Sequence, residues 1–344
     1  MAMNRDTAPT FPARHWTARA LGAAERRAPD LAARVAEWLW WRIPTPPPPA
    51  RRNRHVHERG QSLRVRPDGL DLAVHVFGAP DAPTAYLVHG WGGWWQQFAS
   101  VVPVLVDAGY RVVAYDAPSH GASGPGRYGA STRVMEMARA HELVVERFGP
   151  SHLTLAHSVG AMAVMWAHES GTPARAFLLY SPAVRTEPMI EFLGRAVGAG
   201  PRTIQRLGAR IERTLGRSLR DFDVTDMLGR LDPRDPPPML AVHDRGDVQT
   251  LARDTDELVR GWPGSRLMLR DGSGHAGVLR DGEVLAATRR FAEAVHPAGS
   301  PRRTTDRVTM PPSPRQLAEM GVSSSGLRRQ DAWETPGPSE RSAR

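Results

Sequence analysis

Between Ser151 and His168 a short apolar run carrying Leu153 and Leu155 turns abruptly at Ala156-His157-Ser158-Val159-Gly160. It then continues as a helix-compatible run from Ala161 to His168. A strand that feeds a helix through so tight a turn holds its middle residue at a strained backbone angle. The side chain is then exposed at the C-terminal end of the strand, and small neighbours are needed because adjacent backbone passes close by. A serine in that position is presented as a nucleophile, with nearby N–H groups pointing where an oxyanion would form. Small-x-Ser-x-small also occurs in ordinary β–α loops of Ala- and Gly-rich chains, so the rest of the chain has to supply the partners.

The order of elements constrains the fold. From His15 to Trp41 the pattern is helical, with Ala18, Leu21, Ala24, Leu31, Val35, Trp38 and Leu39 near one face and Pro29 splitting the run. Pro44 to Pro49 reads as a polyproline linker. Ser62 to Arg66 and Leu70 to Phe77 alternate as an antiparallel hairpin about Pro67-Asp68-Gly69. Strands at Thr84–Val88, Arg111–Tyr115, the run before Ser158 and Ala174–Tyr180 then alternate with helices at Gln96–Gly109, Ala130–Phe148 and after Ser158. Three helical runs follow with no strand between them: Glu187–Ala199, Pro201–Leu215 and Val224–Leu231. Strand Met239–Val242, helix Leu251–Gly261, strand Arg266–Leu269 and helix Gly282–Val295 complete the pattern. Such alternation implies an α/β fold, with a mostly parallel sheet, an antiparallel entry hairpin and helices on both faces. A helical lid at about 183–236 is inserted before the strand expected to carry an acid. The expected organisation is an N-terminal helical segment and linker at 1–60, a domain at 61–296 and a disordered tail at 297–344, rich in Pro, Ser, Arg and Gly.

Charge supplies less than its total suggests. The formal net charge is +9, and residues 1–60 carry 11 Arg against 5 acids while residues 297–344 carry 8 against 5. Between them 26 Arg and 26 acids cancel, and the chain has no lysine. This argues for a compositional bias and against a nucleic-acid partner. With no cysteine there is no disulfide framework, thiolate metal site or thiol nucleophile. No run approaches the roughly 20 apolar residues of a membrane span, and no signal peptide is visible at the N-terminus. The expected location is cytoplasmic. Trp38, Trp40 and Trp41 beside Arg34 and Arg42 allow either a helix packed on the domain, which is favoured, or contact with a membrane surface.

If Ser158 is a nucleophile, a base, an orienting carboxylate and a second oxyanion donor belong in other post-strand loops. His89-Gly90-Trp91 ends the strand Thr84–Val88, so the Trp91 N–H is positioned to join that of Val159 in an oxyanion hole. His243-Asp244-Arg245-Gly246-Asp247 follows Met239–Val242, and Asp247, deeper in the loop, is preferred to Asp244. His275 sits in the Gly-rich loop after Arg266–Leu269, whereas His296 trails the last helix. The order Ser, Asp, His is the one this class of sheet requires. Scattered His and Asp lack metal-ligand spacing, so neither metal nor organic cofactor is expected.

On these residues the chain resembles the α/β-hydrolase superfamily from about Ser62 to Val295. The matching motifs are His89-Gly90-Trp91-Gly92, Asp116-Ala117-Pro118-Ser119-His120-Gly121-Ala122-Ser123, Ala156-His157-Ser158-Val159-Gly160, Asp247 and Gly274-His275. Ser119 stands where the family usually has Gly, and Ala156 replaces the first Gly of the turn. The resemblance implies a serine hydrolase acting on a small ester or thioester through an acyl-enzyme, with Ser158, His275 and Asp247 as the triad. In such a protein Asp116 and His120 brace the site. An acyltransferase or C–C bond hydrolase would use the same triad, and a non-catalytic binding protein is possible on the same fold. Trp91, Trp94 and Trp95 are candidates to wall an apolar acyl pocket, or to serve as core. The basic run Arg185–Arg220 reads as a solvated helix face or, less readily, an anionic-substrate site.

Overall fold

Eight strands form one sheet in the order β1-β2-β4-β3-β5-β6-β7-β8 in a computed structural model that describes residues 25, 27–44, 56, 60–230 and 236–297. The strands are β1 (Gln61–Val65), β2 (Leu72–Phe77), β3 (Thr84–Val88), β4 (Arg111–Tyr115), β5 (Ser151–His157), β6 (Phe177–Tyr180), β7 (Met239–Asp244) and β8 (Arg266–Arg270). β2 runs antiparallel to both β1 and β4, and every other pair is parallel. The entry hairpin turns where Asp68 and Gly69 both adopt positive φ, 51° and 77°.

Strands buried on both faces explain the near-continuous apolar runs. β3 and β4 are buried at every residue. Alternate residues serve opposite layers. Ala85, Leu87, Val112, Ala114, Leu153 and Leu155 join a core with α2 (Val101–Asp107) and α9 (Gly282–Val295). Tyr86 and Tyr115 point the other way, onto His141 of α3 (Val134–Phe148). Phe177 meets His168 of α4 (Val159–Glu169) and Trp262, which follows α8 (Ala252–Gly261), on that same side. The expected helix from Gln96 is instead a short 3-10 turn, Trp95–Phe98, followed by α2. Trp95 is core, stacked on His75 with ring centroids 4.3 Å apart.

Between β6 and β7 lie α5 (Thr186–Ala196), α6 (Pro201–Leu215), a 3-10 turn (Leu219–Phe222) and α7 (Val224–Leu228). Against α5 and α6 packs the N-terminal helix α1 (Pro29–Trp40); Glu25 and Arg27 are helical but Ala28 is not (φ −148°, ψ 66°), so the helical run is divided just before Pro29, as expected. Its buried face is the reverse of the expected one. Ala32, Ala33 and Ala36 are buried, whereas Leu31, Val35 and Trp38 are exposed at 57, 41 and 57%. The alanines let α6 approach closely, with Ala36 packed against Ile190, Leu207 and Ile211. Acids on α1 meet the basic face of α6. Glu37 binds Arg210 at 2.6 Å and accepts from the Thr214 hydroxyl at 2.6 Å, and Asp30 binds Arg206 at 2.9 Å. Part of the arginine run therefore fastens α1. Most of the predicted run before Ala28, most of the proline linker and nearly all of the predicted tail lie outside the described residues.

Candidate active site

At the C-terminal end of β5 the chain reverses at Ser158, which has φ 54° and ψ −126°. A non-glycine residue in such a conformation is strained by roughly 1–3 kcal/mol and persists only where its surroundings fix it. Here the Ser158 N–H donates to Tyr180 O at 3.1 Å, and its carbonyl accepts from Ala161 N–H at 2.9 Å and Ala183 N–H at 3.0 Å. β6, α4 and the segment entering the helical insertion thus hold both sides of the peptide. The turn also requires glycine on two flanks. A Cβ on Gly160 would sit 2.6 Å from Val88 O, and one on Gly90 would sit 2.8 Å from the Ser158 Cβ. The backbone after β3 therefore runs directly against the serine. Val159 is the first residue of α4, so its N–H has no acceptor within the helix.

Asp247 and His275 come together across the β7 and β8 loops, with His275 Nδ1 2.7 Å from Asp247 Oδ2. The Asp247 side chain is wholly inaccessible to solvent. Burial alone would raise its pKa. Hydrogen bonds from His243 and His275 outweigh that and hold the carboxyl well below the usual carboxylate range. Gln249 N–H donates to Oδ1 at 2.9 Å, and the Thr250 hydroxyl reaches Oδ2 at 3.0 Å. His243 Nε2 lies 3.4 Å from the same Oδ2, while its Nδ1 meets Thr255 Oγ1 at 2.7 Å. Asp244, the alternative carboxylate, has another task. It accepts from Ser273 N–H at 2.6 Å and Gly246 N–H at 2.8 Å, tying the loop that carries His275 to the end of β7. His296 lies against Gly109 and Tyr110 instead.

Ser158, His275, Trp91, Trp94 and Val159 line one cavity of about 250 Å³. Most of its wall is apolar. α1 supplies Trp40, followed by Trp41, while the helical insertion supplies Phe192, Ile211 and Phe222. Trp91 closes part of this wall, and its indole N–H donates to Arg42 O at 3.1 Å.

The loop after β4 braces the site from behind. Asp116 accepts from Trp95 N–H and Ala122 N–H, each at 2.8 Å, and burial pushes its pKa up to about 6. Ser119 has φ 65°, the conformation that favours glycine, and its hydroxyl donates toward Gly129 O at 2.7 Å and Ser131 O at 3.0 Å. Buried His89 bridges this loop to the strand end. Its Nε2 accepts from Ala117 N–H at 2.9 Å and its Nδ1–H donates to Gly90 O at 2.7 Å, and burial lowers its pKa to about 3. His157 plays a corresponding part for His275. Its Nε2–H donates to His275 O at 3.1 Å, the rings lie 4.8 Å apart, and burial keeps it neutral with a pKa of about 3. No motif or spacing in the sequence singles out His157, His243 or Thr250. Their only signals were position, beside the serine and within the loop of the acid.

Residues 80–269 match the family model described as serine aminopeptidase, S33. The "Probable oxidoreductase EphD" of Mycobacterium tuberculosis is 32% identical over 100 residues, 28% of this chain but only 17% of that protein. The AB hydrolase superfamily protein YfhM of Bacillus subtilis is 40% identical over 52 residues, covering 15% of this chain and 18% of its own. Both alignments span less than a fifth of the relative's length. Among solved structures, a monoacylglycerol lipase of Paleococcus ferrophilus superposes with a TM-score of 0.51 at 23% identity, covering 65% of this chain and 99% of that one. An esterase of Pyrococcus furiosus superposes with a TM-score of 0.53 at 15% identity, covering 70% and 94%. At these identities the structures establish a shared fold. The family match extends over more than half the chain, from the end of the entry hairpin to β8: the chain belongs to the serine aminopeptidase, S33 family of the α/β-hydrolase superfamily.

Proposed function

We propose that the protein is a serine hydrolase that cleaves carboxylic ester or thioester bonds through an acyl-enzyme. One arrangement carries this reading: an imidazole held at 2.7 Å by a buried carboxylate opens onto the same apolar cavity as a serine on a strained strand-to-helix turn.

In the proposed reaction Asp247 keeps the Nδ1–H of His275 pointed at itself, leaving Nε2 free to accept a proton. The Ser158 hydroxyl attacks the substrate carbonyl carbon as its proton passes to Nε2. The N–H groups of Trp91 and Val159 receive the developing oxyanion, and the dipole of α4 adds to the stabilisation. His275 returns the proton to the leaving alcohol or thiol as the tetrahedral carbon collapses. Water then repeats the sequence on the acyl-enzyme, releasing the acid and regenerating Ser158.

The cavity favours an ester over a peptide with a free amino terminus. Among the described residues that line it are Arg133 and Arg280 but no Asp or Glu that would pair with an ammonium group. Its aromatic and aliphatic wall suits an acyl chain. Turnover of p-nitrophenyl acetate, butyrate, octanoate and palmitate tests both points. Wild type is expected to prefer the butyrate or octanoate ester, and Ser158→Ala and His275→Ala to lose at least 10³-fold in kcat. Amino-acid p-nitroanilides turned over faster than every ester would overturn the substrate class.

A further inference from the structure

Three of the five large hydrophobic side chains exposed among the described residues lie on one face of α1: Leu31, Val35 and Trp38. Their spacing, i, i+4 and i+7, sets them in a single stripe along the helix. A core-facing stripe would have this pattern, but here the alanine face is the buried one and the stripe is turned to solvent. Arginines flank it: Arg27, Arg34 and Arg42 are all exposed, and the Arg42 guanidinium lies 4.2 Å from the centre of the Trp38 ring. The neighbouring acids do not offset this charge. Asp30 is engaged by Arg206, and Glu37 faces inward onto Arg210. An apolar strip edged by cationic side chains, with a tryptophan among them, matches the interfacial zone of a bilayer bearing anionic lipid. A second protein surface would supply apolar contact but would need its own acidic rim.

We propose that α1 docks the protein onto anionic membrane surfaces through Leu31, Val35 and Trp38, with Arg27, Arg34 and Arg42 meeting lipid headgroups. The position of the helix adds a consequence. Trp40 at the end of α1 and Trp41 beyond it line the cavity that holds Ser158, so a docked α1 brings that cavity to within about one helix diameter, ~10 Å, of the lipid. This second step rests on the ester-hydrolase reading and makes the acyl substrate a lipid drawn from the bilayer. Docking itself does not rest on that reading.

Co-sedimentation of the full chain with phosphatidylcholine vesicles, with and without 30% phosphatidylglycerol (about one lipid in three), tests the docking. Wild type and Ser158→Ala are expected to bind the anionic vesicles equally and to release with added salt. The triple variant Leu31→Ser/Val35→Ser/Trp38→Ser, altered only at exposed positions, is expected to lose binding by at least about tenfold. Arg34→Glu is expected to weaken binding several-fold on anionic vesicles alone. Wild-type melting of the triple variant would show that its fold is intact. Failure of the wild type to pellet, or equal pelleting of the triple variant, overturns the proposal. So does sedimentation velocity in which the stripe substitutions only convert a dimer to a monomer. Vesicle binding by a protein without esterase activity would retain the docking and remove only the lipid-substrate step.

Discussion

Replacing Gly160 with alanine should destabilise the protein, although alanine is the better helix former. Gly160 is the second residue of α4, where intrinsic propensity alone favours alanine by up to ~1 kcal/mol. The structure opposes this. An added Cβ would lie 2.6 Å from Val88 O and 2.7 Å from His89 O, about 0.8 Å inside the 3.4 Å at which ordinary contact begins. Both atoms are backbone at the end of a buried central strand, so relief requires moving β3 or α4 rather than turning a side chain. Overpacking of this kind costs about 1–3 kcal/mol, or more where backbone must shift, which leaves a net loss of ~1–2 kcal/mol. For a domain of this size that lowers Tm by roughly 3–6 °C. The same displacement separates the N–H of Val159 from that of Trp91, and about 1 Å of error at such a site costs on the order of 10²-fold in turnover. Gly208 of α6 provides the internal control. Its nearest neighbour to an added Cβ is Leu219 Cδ1 at 3.6 Å, so Gly208→Ala should gain ~0.5–1 kcal/mol and raise Tm. Thermal unfolding and p-nitrophenyl ester turnover of both variants decide the matter. An unchanged or raised Tm with normal turnover in Gly160→Ala would refute the close approach on which the site's geometry depends.

Asp247→Asn should reduce kcat by about 10³–10⁴-fold with little change in KM, because the amide no longer enforces the reactive tautomer of His275. Steady-state kinetics check this, and a loss confined to KM would contradict the role. Glu37→Gln should loosen α1 from α6 by ~1–3 kcal/mol, since it leaves Arg210 without a charged partner at a half-buried site. The expected readout is faster limited proteolysis at the N-terminus, together with weaker discrimination among acyl lengths as the Trp40 and Trp41 wall moves. Acid should destabilise the fold well above ordinary carboxylate pKa values. Burial lowers His89 and His157 to about 3 and His120 and His141 to about 4, against 6.5 for a free imidazole. The folded protein keeps them neutral and the unfolded chain protonates them. Their contribution is therefore complete above pH 6.5 and is lost as pH falls from there toward 4 and 3, at up to ~1.4 kcal/mol per residue per pH unit. Asp116, raised to about 6, acts oppositely between pH 6 and 3.8 and offsets only one of these four. Melting at pH 5 should lie well below melting at pH 7.5, and equal midpoints would contradict the burial of these imidazoles.

Much of this architecture was legible because the strands carry two independent signals, apolar content and punctuation by a loop with a distinctive residue. Ser158, Asp247 and His275 each follow a strand, and a parallel sheet gathers such loops at one edge whatever their separation along the chain. The apolar periodicity of α1 points the wrong face inward for a definite reason. Apolar periodicity identifies the larger side chains, but close contact with α6 selects Ala32, Ala33 and Ala36 instead, and only the position of the partner helix decides between the two stripes. The support from His157, His243 and Thr250 was hidden for a related reason. His157 acts through a hydrogen bond to His275 on a distant loop, while His243 and Thr250 reach Asp247 from four and three residues away, a spacing that carries no signature of its own. Trp95 illustrates the limit within three residues: Trp91 and Trp94 face the cavity, while Trp95 turns into the core against His75.

Reaction with a fluorophosphonate, followed by mass mapping of the modified peptide, tests the central claim most directly. Wild type should take up one phosphonyl group per chain at Ser158, Ser158→Ala none, and His275→Ala should react at least 10²-fold more slowly. Stoichiometric labelling that persists in Ser158→Ala, or that maps to any other residue, would contradict the account.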